Sequence, residues 1–100
     1  MVKAEELYCS YNNLLKLNLS KLKNLKWIDC SHNKLKKLKF DKSQDLESVN
    51  CSHNQIVELD VGNIYLYELI CDNNKLKTLD VSHMDELVHI NCDKHVEIIR

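Results

Sequence analysis

Proline is absent from the 100 residues, and glycine occurs once, at Gly62. The chain therefore has no flexible linker and no obvious internal boundary, and one domain spanning 1–100 is expected. No apolar run approaches the roughly 18 residues of a membrane-spanning helix. The opening MVKAEELYCS has no apolar stretch of signal-peptide length. With Met1 as the natural start, a cytoplasmic location is expected. No glycine-rich phosphate loop occurs and nothing has the makings of a catalytic constellation, so neither an enzyme nor a cofactor is expected. The net charge of −1 gives no general attraction to nucleic acid or an anionic membrane. The total hides an uneven distribution. Residues 1–50 carry 10 basic and 6 acidic side chains (+4), and residues 51–100 carry 4 and 9 (−5).

What the chain does have is a repeat. Leu25, Ile28, Cys30, Asn33, Leu35 and Leu38 form a frame that returns as Leu46, Val49, Cys51, Asn54, Ile56 and Leu59. It returns again as Leu66, Leu69, Cys71, Asn74, Leu76 and Leu79. An earlier copy reads Leu7, Cys9, Asn12, Leu14 and Leu17, and a damaged last one has Leu87, Ile90 and Cys92 with His95 in the asparagine's place. The cysteines are spaced 21, 21, 20 and 21 residues apart, and a fixed period of this kind means a solenoid. Each repeat has a strand half, such as Trp27-Ile28-Asp29-Cys30, that alternates outward and inward. The asparagine three residues after the cysteine closes the turn. Its amide can donate to and accept from backbone groups left unpaired there, and four such residues would stack as a ladder. The return half brings Leu35, Leu38 and Phe40 into the core, with extended segments or single 3₁₀ turns expected because little room remains for an α-helix. Leu22, Ser43, Ile64 and Met84 follow. The third return half is one residue short, which predicts a kink near Gly62.

Five cysteines at one repeat position would lie in successive parallel strands about 4.8 Å apart, with side chains running parallel into the core. A disulfide needs converging Cβ atoms. Reduced, buried cysteines acting as small hydrophobes are expected instead, in keeping with a reducing compartment.

These repeats resemble the leucine-rich repeat family, most closely its bacterial 21-residue variety with cysteine in the third leucine position, as in internalin-J-like proteins. The resemblance covers residues 4 to about 95. It implies an α/β-class, mostly β solenoid: a short right-handed horseshoe of about five coils, near 4–24, 25–45, 46–65, 66–86 and 87–100. It further implies a parallel sheet on the concave face that binds other proteins.

Function in such a scaffold lies in the outward strand positions. Tyr8, Tyr11 and Trp27 cluster on the first two coils, and Trp and Tyr are common interface anchors. Asp29, Glu68, Asp72 and Asp93 make the face mildly acidic. With His32, these residues form the candidate partner site: Tyr8, Tyr11, Trp27, Asp29, His32, Glu68 and Asp72. His32 and His53 follow Cys30 and Cys51 at equal spacing, but a zinc site needs converging ligands and the cysteine points inward, so no metal is expected. Lys34, Lys36, Lys37, Lys39 and Lys42, with Lys16, Lys21 and Lys23, lack arginine or aromatic interleaving and read as a solvated face rather than a nucleic-acid site. Val2, Ala4 and Leu7 begin the stack abruptly, while His95–Arg100 is expected to fold across the last coil as a cap, with dimerisation through an uncapped end as the alternative. The role expected is a small cytosolic inhibitor or adaptor gripping a protein, one concrete form being a phage-type inhibitor of a bacterial defence nuclease. The alternative is a fragment of a bacterial surface adhesin.

Overall fold

A computed structural model of the chain describes residues 5–40, 45–62, 64–87 and 89–100. The expectations concerning Val2, Ala4, Lys42 and Ser43 lie outside these residues. Among the described residues nine three-residue strands are present: β1 Glu6–Tyr8, β2 Trp27–Asp29, β3 Lys37–Lys39, β4 Ser48–Asn50, β5 Glu58–Asp60, β6 Glu68–Ile70, β7 Thr78–Asp80, β8 His89–Asn91 and β9 Glu97–Ile99. The strand halves of the repeat build one parallel sheet in the order β1-β2-β4-β6-β8. Five strands joined by four connections give a β-solenoid of about four turns. The sheet register reproduces the repeat column by column: Leu7, Ile28, Val49, Leu69 and Ile90 are successive partners.

From the second coil on, the return halves are also strands, whereas residues 14–19 of the first form none. β3 pairs with β5, and β7 with β9, all parallel. The expected α/β class is therefore corrected to all-β, because no helix occurs among the described residues. The cause is visible in Lys37-Leu38-Lys39 and Thr78-Leu79-Asp80, whose polar–apolar–polar alternation has the period of a strand. After the return strands the chain turns through i to i+3 hydrogen bonds, Leu22 N–H to Leu19 O, Ile64 N–H to Val61 O and Met84 N–H to Val81 O, at 3.0–3.3 Å. The run His95–Arg100 does not fold across the last coil, since β9 takes its place beside β7 as another return strand.

Sheet and return strands meet over one core. Leu25, Cys30, Leu35, Val49, Cys51, Ile56, Leu66 and Leu69 are wholly enclosed. Each large aliphatic here contributes about 2 kcal/mol relative to exposure. All five cysteines are free thiols, with Cys30, Cys51 and Cys71 buried and Cys9 and Cys92 half-buried at the two ends of the stack.

The asparagines tie each turn to its neighbour. Asn33 Oδ1 accepts the N–H groups of Asn12 (3.0 Å) and Leu14 (2.9 Å) in the preceding coil. Its Nδ2 donates to Cys9 O (3.0 Å) there, and to Cys30 O (3.0 Å) and Ser31 O (3.2 Å) in its own turn. Asn54 and Asn74 reach back in the same way to Leu35 N–H and Ile56 N–H. Where His95 interrupts the series, two side chains divide the task. Asp93 accepts from Asn73 N–H (2.9 Å) and Asn74 N–H (3.2 Å), and His95 Nε2 donates to Leu76 O at 3.2 Å.

Candidate functional site

Strand alternation leaves two columns on the outer face of the five-stranded sheet. Glu6, Trp27, Ser48, Glu68 and His89 precede the inward aliphatics, and Tyr8, Asp29, Asn50, Ile70 and Asn91 follow them. Tyr8 is 67% exposed, directly opposite Asp29. Trp27, between Glu6 and Ser48, is half-buried rather than fully open. Tyr8 and Trp27 are thus diagonal neighbours on adjacent strands. Loss of surrounding water, then the carboxylate of Glu6 and that of Asp29, hold the Tyr8 phenol above its ordinary pKa, so it remains a neutral hydrogen-bond donor.

The carboxylates of this face are engaged locally. Asp29 Oδ1 accepts from Ser31 N–H (3.0 Å) and Ser31 Oγ–H (2.6 Å), the turn chemistry that Asn50 repeats with Ser52. Glu68 accepts from Ser48 Oγ–H at 2.5 Å on the neighbouring strand. Asp72 accepts from Asn73 Nδ2 at 2.8 Å. Asp29, Glu68 and Asp72 therefore meet any partner with part of their accepting capacity already used, and Glu68 and Asp72 lie two strands away from Trp27.

The most ordered feature stands at the corner where the sheet strands end. Tyr11 stacks on His32 with ring centroids 4.1 Å apart, and His32 stacks on His53 at 4.3 Å, with both interplanar angles 8°. Asn73 Nδ2 continues the column 3.4 Å from His53 Nε2. The backbone explains the residue types. Tyr11, His32, His53 and Asn73 have φ of 55–58°, left-handed conformations in which Asn and His are enriched and most side chains are strained. Parallel coils then carry identical conformations at one repeat distance, which places flat rings face to face. Among the described residues Tyr11 ends the stack, 73% exposed.

The chain matches no family model, no curated protein and no solved structure.

Of the expected residues, the structure brings together Tyr8, Trp27 and Asp29 on β1 and β2, and Tyr11 with His32 at the corner. Glu68 and Asp72 stand apart. His53 was the residue that sequence reasoning left out, although it shares the column of Tyr11 and His32 and that shared column was the available signal. Tyr65, 68% exposed, and Tyr67 were also passed over; Tyr65 lies edge-on to His83 with centroids 5.4 Å apart. Deprotonation of the enclosed thiols Cys30, Cys51 and Cys71 is disfavoured. Burial, then Cys9 and Asp29, pushes Cys30 up to about 12, and burial followed by neighbouring thiols also raises Cys51 and Cys71. Among the described residues no group of three or more His, Cys, Asp or Glu side chains could hold a metal ion.

Proposed function

We propose that this chain is a protein-binding module of the leucine-rich repeat type, with about five coils and a ligand face on the outer side of its five-stranded sheet. The supporting observation is the pair of tyrosines, Tyr8 and Tyr11, at 67% and 73% exposure, beside the half-buried Trp27. Rigid aromatic side chains that fill no core lose little entropy when a partner covers them, and anchors of this kind dominate interface energies. Three-residue strands held in register by turn asparagines present them on a stiff surface, which lowers the cost of binding. A small cytosolic inhibitor or adaptor is the role that fits this reading, and five free thiols suit a reducing compartment.

The test is affinity capture from source cells with wild type, Tyr8→Ala, Trp27→Ala and, as a control on the return side, Val57→Ala. A partner lost with the first two and kept with the third supports the reading. Unchanged recovery with Tyr8→Ala and Trp27→Ala, in variants whose circular dichroism matches wild type, rules out the aromatic face.

A further inference from the structure

On the outer face of the five-stranded sheet, β1 and β2 place two aromatic rings and two carboxylates in one square block. Glu6 pairs with Trp27, and Tyr8 with Asp29. Leu7 and Ile28 are the inward residues of these strands, so the other four project from the same face. In-register neighbours on parallel strands lie about 4.8 Å apart, and residues i and i+2 of one strand about 6.6 Å. Trp27 and Tyr8 therefore take one diagonal and Glu6 and Asp29 the other, each about 8 Å long. Every carboxylate adjoins both rings, and every ring adjoins both carboxylates. The next block along the sheet, Trp27 and Asp29 with Ser48 and Asn50, has one ring. The block after that, Ser48 and Asn50 with Glu68 and Ile70, has none.

The block is open to a partner and lies in negative surroundings. Tyr8 is 67% exposed and Glu6 is exposed, while Trp27 and Asp29 are half-buried. Besides loss of surrounding water, the charges of Glu6 and Asp29 both act on the Tyr8 phenol, and Glu6 accepts its hydrogen bond. Asp29 holds Ser31 through Oδ1, so the second oxygen of its carboxylate takes no part in that turn. Nearby on the same sheet, Glu68 and, just ahead of the strands, Glu5 and Glu47 stand against Lys26. The neighbouring residues thus add negative charge to the block rather than cancelling it.

Aromatic faces and carboxylates around one point select a cation that also has a flat, weakly hydrated surface. A guanidinium uses all of them: its plane covers a ring while its N–H groups reach the carboxylates. An ammonium is compact and strongly hydrated, so it gains from the charges and little from the rings. Building on the aromatic face as the binding surface, we propose that Glu6, Tyr8, Trp27 and Asp29 together seat an arginine side chain of the protein partner.

Trp27 is the only tryptophan of the chain, so intrinsic tryptophan fluorescence reports this block alone. Full-length protein is titrated at constant ionic strength with acetyl-Gly-Arg-Gly-amide and with the same peptide carrying lysine or citrulline in place of arginine. The expected result is a saturable change in emission at millimolar arginine peptide, about threefold weaker binding of the lysine peptide, and no response to citrulline, which keeps the shape without the charge. Asp29→Asn is a conservative variant, because Asn50 in the next coil already holds Ser52 through Oδ1 as Asp29 holds Ser31. Asp29→Asn and Glu6→Gln should each weaken the arginine peptide about threefold, whereas Glu58→Gln on the return side should leave it unchanged. No response to arginine, an equal response to citrulline, or unchanged affinity in both block variants overturns the proposal. Affinity capture separates this outcome from loss of the aromatic face. A partner lost with Tyr8→Ala and Trp27→Ala but kept when Glu6→Gln and Asp29→Asn are combined overturns the arginine seat and leaves the face standing. A partner kept in every variant removes the face itself, and the arginine seat with it.

Discussion

Replacing Asn33 with alanine should cost far more than the same change at Asn12, although both hold one position of the repeat. Asn33 makes five bonds, three of them to the preceding coil, whereas the Asn12 side chain donates to Cys9 O and Ser10 O of its own turn, both at 3.0 Å. Asn33→Ala leaves the N–H groups of Asn12 and Leu14 without an acceptor. The carbonyls fare better, since Ser31 O still receives Tyr11 N–H and Cys30 O still receives Asn54 Nδ2. Two stranded donors at about 1–1.5 kcal/mol each, with about 0.5–1 for the lost donations, give about 3 kcal/mol. Asn12→Ala, at an exposed site, should cost about 0.5 kcal/mol. With a urea slope of about 1.5 kcal/mol/M, the unfolding midpoint should fall by about 2 M for Asn33→Ala and by about 0.3 M for Asn12→Ala. Equal shifts for the two variants, at unchanged slope, would show that the bonds between coils carry no special stability.

The corner column makes a second test. At the left-handed φ of 56° at His32, glycine is relaxed and alanine strained, so His32→Ala should be less stable than His32→Gly by about 1 kcal/mol in thermal or urea melts, and the reverse order refutes the strain argument. Among the thiols, Ellman's reagent at pH 8 should modify the half-buried Cys9 and Cys92 well before Cys30, Cys51 and Cys71; equal rates by peptide mass mapping would contradict the enclosed core. Asp80 is held below its ordinary pKa by the hydroxyl and N–H of Ser82. A carboxylate more acidic when folded contributes stability that is complete above its unfolded pKa and lost as pH falls through the folded value. Asp80→Asn should therefore flatten the fall in stability below pH about 4, and an unchanged acid limb would remove this group from the account.

The solenoid and its register could be read from the chain because parallel coils convert sequence period directly into spatial columns. Ile28 beside Val49, or Trp27 beside Ser48, follows from counting alone. Two things did not follow. The ring stack depends on a left-handed backbone at Tyr11, His32 and His53, and local sequence signals that conformation weakly when no glycine marks it. The division of the return strands into two pairs, β3 with β5 and β7 with β9, is a property of coil geometry that the inward pattern of Leu59 and Leu79 does not encode. The short third repeat was the only trace, and it pointed to the right place without saying what would form. Trp27 shows the same limit on a smaller scale: alternation puts it on the outer face, but only its neighbours determine that it is half covered.

The direction in which the turn asparagines reach has a consequence for assembly. Each of Asn33, Asn54 and Asn74 supplies acceptors to the coil before its own, and Asp93 does so for the last turn. A coil thus depends on its successor to finish its backbone, while its own asparagine finishes its predecessor. During synthesis, with the N-terminal end emerging first, every coil would wait half-finished for about one more repeat of chain. The stack matures one step behind its growing end, much as a zip fastener closes only behind the slider.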